Sequence, residues 1–153
     1  MSEEFALEHG YSQQKRAQIR EAAGIIGIDE GYLSRMVEEF YARVRADARL
    51  GPIFEAELGN DWGPHLAKMK AFWASVALSA GTYSGKPVVV HRALTGVEHE
   101  DFDRWLALFH ATLADTAPTP EAISYLALRA ERIAQSLSMA MFDRTRTGPP
   151  ALR

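Results

Sequence analysis

Four stretches of this 153-residue chain place apolar residues three or four positions apart, the repeat of a single helix face. Leu33, Met36, Val37, Phe40, Tyr41 and Val44 make the first stripe, with Asp29 placed to cap its helix. The helix is expected to stop before Leu50-Gly51-Pro52, where glycine and proline interrupt the pattern. His65, Met69, Phe72, Trp73 and Val76 make the second stripe, in a helix expected over Trp62–Ser79. Asn60 or Asp61 is the candidate cap there, and Pro64 falls in the first turn, where its missing N–H is tolerated. The third stripe is Phe102, Trp105, Leu106, Phe109 and Leu113, in a helix expected over Glu98–Ala114. The fourth is Ile123, Leu126, Ala130, Ile133, Leu137 and Met141, over Thr119–Phe142 with Pro120 at its first position. Helices with one apolar stripe each must bury those stripes against one another, so the fold class is all-α.

Between the second and third helices, residues 80–97 lose the period, punctuated by Gly81, Gly85 and Pro87. Val88-Val89-Val90 suits a strand by propensity. A lone strand has no partner in this chain, so the segment reads as a loop with at most a helical turn around His91. Gln13–Ala23 reads as a short polar helix ahead of the main body. The length is that of one domain. It divides into a partly helical N-terminal extension (1–27), a helical body (28–142) and a flexible tail (143–153).

Several classes of function are disfavoured. A net charge of −3 offers no basic face for a nucleic acid. The absence of cysteine removes disulfides, thiolate metal sites and thiol nucleophiles, and fits a reducing cytoplasm. Met1 to Tyr11 is acidic and lacks the apolar core of a signal peptide, and no run is apolar enough to span a membrane. No Walker loop, GxGxxG, HExxH or GxSxG motif occurs, nor the repeated Glu-x-x-His of a di-iron bundle.

Five histidines remain to be weighed. His9 lies near the N-terminus, and His99 and His110 are expected to be exposed. His65 opens an apolar stripe and His91 sits in the irregular segment. Singly, His65, His91, Tyr41 and Trp105 each read as ordinary core or loop residues. Together they describe a site for a b-type haem, which needs a flat apolar slot and one imidazole on iron. Stripes rich in Phe, Met, Leu and Trp supply the slot, and Tyr41, Trp105 and His65 carry polar tips able to act on whatever binds there.

The stretches FYARVRADARLGPIF (Phe40–Phe54), HLAKMKAFW (His65–Trp73), YSGKPVVVH (Tyr83–His91) and DFDRWLALF (Asp101–Phe109) occur in that order. With them the chain resembles the third group of bacterial truncated haemoglobins, from about Ile28 to Phe142. It also lacks the Gly-Gly pairs found in the other groups. The resemblance implies a truncated globin fold, a helical sandwich around haem b (iron protoporphyrin IX). It puts His91 at the proximal, iron-binding position and Phe54 against the haem face. Tyr41, Trp105 and His65 fall at distal, ligand-facing positions. Met69, Phe72 and Trp73 would line the distal wall, and Lys68 and Arg92 are candidates to pair with a haem propionate. Leu94-Thr95-Gly96-Val97 departs from the proline-containing link of the group, and the N-terminal extension exceeds the minimal globin.

The expected function is reversible binding of oxygen, nitric oxide or carbon monoxide, with cyanide a further candidate. Two hydrogen-bond donors facing the ligand predict slow release, which argues against a simple oxygen carrier. An alternative is a haem enzyme, a nitric oxide dioxygenase or a peroxidase-like protein, served by a separate reductase or electron donor. An alternative of another class is a haem-free helical interaction module, in which the same residues are core and surface.

Overall fold

A computed structural model describes residues 2–79 and 96–143 of the chain. Among the described residues six α-helices follow in order: α1 (Ser2–Ile25), α2 (Glu30–Ala46), α3 (Leu50–Leu58), α4 (Trp62–Leu78), α5 (His99–Thr116) and α6 (Pro120–Ser138). A π-helical turn, Met139–Asp143, extends the last of them. No strand occurs among the described residues. Val88-Val89-Val90, His91 and Arg92 lie outside the described residues.

Two helix pairs make the body. The helix α2 lies along α4, and α5 along α6; α2 also packs on α5, and α4 on α6. The stripes meet in one core. Leu33, Met36, Val37, Phe40 and Val44 of α2 are all within 1% of complete burial, as are Leu78, Phe109, Leu113 and Leu126 from the other three helices. Each such side chain contributes about 1.5–3 kcal/mol relative to exposure.

Local chemistry sets the helix ends. Asp29 accepts from the backbone N–H of Tyr32 at 2.8 Å, capping α2 as the sequence predicts. Thr119 caps α6, accepting from Ala122 N at 3.1 Å. Its hydroxyl also donates to the carbonyl of Ile26 at 2.6 Å, so the cap of α6 holds the α1–α2 turn. That turn needs Gly27, whose φ is +96° and whose absent Cβ would stand 2.6 Å from Pro118. Asp61 precedes α4 but makes no side-chain cap bond.

The helix α2 stops before Leu50-Gly51-Pro52 as expected, but those three residues form the first turn of a further helix, α3. Proline has no N–H to lose there. Asp47 supplies the missing cap by accepting from Arg49 N at 3.0 Å and Leu50 N at 2.8 Å. Gly51 allows the sharp approach of α3 to α2, because a Cβ there would lie 2.5 Å from the carbonyl oxygen of Arg45. The helix α1 is longer than the polar stretch expected over Gln13–Ala23, and it packs on α4.

Candidate functional site

The second stripe explains itself once its surroundings are seen. On α4, Trp73 is buried, but His65, Met69, Phe72 and Val76 are only half-buried. The side chains fully packed against other helices include Trp62, Ala77 and Leu78. Part of the remaining face, at Met69 and Phe72, borders free space among the helices.

That space has two parts. One is a cleft walled by Leu50, Ile53 and Phe54 of α3, Phe102 and Trp105 of α5, and Leu137 of α6. The other is a small cavity bounded by Tyr41, Met69, Phe72, Trp73, Trp105, Ile133 and Leu137. Trp105 and Leu137 belong to both, so the two spaces adjoin across them. The walls are almost wholly apolar. The one carboxylate, Asp101, is already engaged by Arg49 through paired contacts of 2.8 Å. Arg49 holds the Asp101 carboxyl below its ordinary value, with a further bond from Glu98 N, so it stays ionised and tied to its partner.

Aromatic contacts fix the polar tips. Tyr41 is 4% exposed, and its ring stands edge-on to His65 at 4.9 Å between centroids. Phe54 approaches both, 6.1 Å from Tyr41 and 6.2 Å from His65. Trp105 stacks on Phe109 at 5.9 Å and 7°, and Phe109 stacks on Trp73 at 5.1 Å and 12°. Phe40 meets Trp105 edge-on at 5.4 Å. These contacts leave Tyr41 and Trp105 little freedom to turn.

Of the residues singled out in the sequence, the structure therefore brings together Tyr41, Phe54 and His65 in one ring cluster. It brings Tyr41, Met69, Phe72, Trp73 and Trp105 around one cavity. Lys68 is exposed on α4, one position before Met69. His91 and Arg92 fall outside the described residues. His99 is exposed as expected, stacked on Phe142 at 5.2 Å. His110 is half-buried, with Nε2 3.4 Å from Glu131. Sequence reasoning missed Trp62, whose ring lies 5.7 Å from His65, although its spacing of three residues from His65 put both on one helix face. It also missed Asp101 at the cleft wall.

Adjoining apolar clefts rimmed by aromatic rings supply the kind of lining that a large planar prosthetic group requires. Helices paired around clefts of this kind are the architecture of a haem globin. The sequence profile of the bacterial-like globin family matches residues 24–144. The group 3 truncated haemoglobin ctb of Campylobacter jejuni is 38% identical over 89 residues, covering 56% of this chain and 70% of that protein. The crystal structure of a group III truncated haemoglobin from Campylobacter jejuni superposes with a TM-score of 0.72 at 32% identity, covering 80% of this chain and 96% of that one. The chain belongs to the bacterial-like globins, in the third group of truncated haemoglobins. Among the described residues no helix is long and apolar enough to cross a membrane.

Proposed function

We propose that this globin holds haem b through His91 and retains small diatomic ligands, oxygen or nitric oxide, by hydrogen bonds from Tyr41 and Trp105. The observation that carries the proposal is the shared cavity. Two side chains with polar hydrogens, a phenol and an indole, bound a space otherwise walled by Met69, Phe72, Trp73, Ile133 and Leu137.

Haem, when bound, supplies iron with an open coordination position and electron density that polarises a ligand taken there. Everything else is the work of the chain. Tyr41 donates or accepts a hydrogen bond, whereas the Trp105 indole can only donate. In so dry a space each bond is stronger than in water. The stacked Trp73–Phe109–Trp105 series holds the indole plane before any ligand arrives, so little ordering is required on binding. Met69, Phe72 and Trp73 exclude water, and Phe54 packs against the face of the group. Lys68, and as a second candidate Arg92, would pair with its propionates. The absence of cysteine rules out thioether attachment, which leaves the b-type group held by packing and by His91. The haem-holding unit is assigned to residues 28–142, with 1–27 as an extension. Return of oxidised iron to the ferrous state falls to a separate electron donor.

The test is the absorption spectrum of protein purified with haem supplied, ferric and ferrous, with and without carbon monoxide. A Soret band that shifts on reduction and again with carbon monoxide is expected. A colourless protein that takes up no added haem would overturn the proposal.

A further inference from the structure

Trp62 opens α4 and is 6% exposed, yet its polar atom faces outward to a charged pair. Its indole Nε1–H donates to Glu55 Oε1 of α3 at 3.2 Å. The guanidinium of Arg45, at the end of α2, lies over the indole ring at 4.4 Å, and its Nη2 is 3.9 Å from the same Glu55 oxygen. The arginine and glutamate side chains are about half exposed, at 50% and 56%. An ion pair that open and that long adds little to stability. Its consequence is local: the carboxylate is kept where the indole N–H meets it, and the cation sits on the ring it favours.

On its inner side the same indole meets the ring cluster. Trp62 stands at 89° to His65, 6.2 Å from Phe54 and 6.4 Å from Tyr41. Among the described residues three aromatic rings thus border the His65 imidazole, and Trp62 is the one whose indole N–H donates to Glu55 and whose face carries Arg45. His65 Nε2 is shielded from solvent behind them.

We propose that Trp62 is a positioning residue for His65, latched by Arg45 and Glu55, and that the latch governs how readily water and small ligands reach the space beside Tyr41. The part concerning ligands rests on the haem function proposed above; the part concerning His65 does not. Release of that exposed hydrogen bond and of the cation–π contact removes the ties at the outer edge of the indole, which can then yield together with the imidazole it borders.

Two variants test this without emptying the core. Glu55→Ala removes an exposed acceptor, and Trp62→Phe keeps a ring against His65 but loses the donor. In the haem-loaded full-length protein, carbethoxylation of His65 by diethyl pyrocarbonate is followed by peptide mass, with His110 as internal reference. Both variants are expected to react at His65 about five to ten times faster, the effect of losing one hydrogen bond of ordinary net strength, with His110 unchanged. Carbon monoxide association after flash photolysis is expected to rise in parallel, and Glu55→Ala is expected to add nothing in a His65→Ala background. Unchanged His65 modification in both variants would overturn the positioning role. Equal acceleration of carbon monoxide binding with and without His65 would overturn the route through His65. A wild-type protein that binds no carbon monoxide would sink the ligand-binding function, while the modification rates would still decide the latch.

Discussion

At the scale of single residues, Tyr41 shows how burial changes the meaning of a polar group. On an apolar stripe it looks like a core tyrosine, and at 4% exposure it is one. It also bounds a cavity, so its hydroxyl can serve a guest as well as the fold. Tyr41→Phe keeps the ring contacts with Phe40 and His65 and removes only that hydroxyl. Oxygen release is expected to quicken by about tenfold, equivalent to about 1.4 kcal/mol for a hydrogen bond made in a dry site. Stopped-flow displacement of oxygen by carbon monoxide measures it, and an unchanged rate would remove Tyr41 from contact with the ligand. His91 carries the complementary expectation. His91→Gly is expected to lose haem, or to keep it only while free imidazole is present to replace the missing ring. A normal haem content and spectrum without imidazole would mean that another side chain binds the iron. The residues that escaped notice in the sequence, Arg45, Glu55 and Trp62, come from three helices and meet only through the crossing of the chain. No spacing rule joins a cation, a carboxylate and an indole so placed. The Trp62–His65 pair is the exception, since neighbours on one helix were available to be read.

At the scale of elements, the helix ends do more than stop helices. Thr119 accepts from Ala122 N and donates to Ile26 O, so one side chain caps α6 and secures the α1–α2 turn. Thr119→Ala is expected to destabilise the fold by about 1–2 kcal/mol. Thermal or urea unfolding would register this, and a loss below a few tenths of a kcal/mol would show that neither bond matters. Most of the architecture was legible from periodicity. The stripes of α2, α4, α5 and α6 appear in the sequence within a few residues of their observed bounds, as does the cap Asp29. Two elements were not. The helix α3 begins at a Gly-Pro pair that reads as a break, because its cap is supplied by Asp47 and its glycine is demanded by the carbonyl of Arg45. Both partners lie on the preceding helix and the corner after it. The π-helical turn after α6 follows the apolar pattern of the helix without interruption, so nothing in the repeat announces it. The site was legible in part for a related reason. The His65–Val76 stripe announces a buried face, but periodicity does not say whether that face meets another helix or a cavity. The half-burial of Met69 and Phe72 is what separates the two.

At the scale of the whole molecule, two ion pairs bind the α2–α3 corner to the start of α5, beside the cleft. Asp47 Oδ2 accepts from Arg104 Nε at 2.7 Å, and Asp101 is gripped by Arg49. Arg49 also donates to the carbonyl of Gly96 at 2.7 Å. Both carboxylates are nearly enclosed, Asp101 at 8% exposure and Asp47 at 9%. Both are held below the ordinary aspartate value of 3.8, Asp47 first by Arg104 and then by the backbone amides of Leu50 and Arg49, Asp101 first by Arg49 and then by the amide of Glu98. The sign of the pH effect follows. Because the folded protein holds these groups ionised to lower pH than the unfolded chain does, the unfolded state takes up protons first as acid is added. The stabilisation is therefore full above about pH 4 and is lost as pH falls through the lowered folded-state values. Neutral pH leaves it untouched, so no change in stability from these groups is expected between pH 6 and pH 8. Asp101→Asn is expected to lower stability at neutral pH, because Arg49 loses its charged partner. The same variant is expected to flatten the fall of stability below pH 4, by up to about one proton in the linkage slope. Urea unfolding midpoints measured from pH 2 to pH 7 for wild type and variant separate the two effects. Parallel curves would mean that Asp101 titrates alike in both states and that the Arg49 grip closes only in the folded geometry without holding its charge. Converging curves at low pH would show that protonation of Asp101, held ionised by Arg49 in the folded protein, accounts for part of the loss of stability in acid.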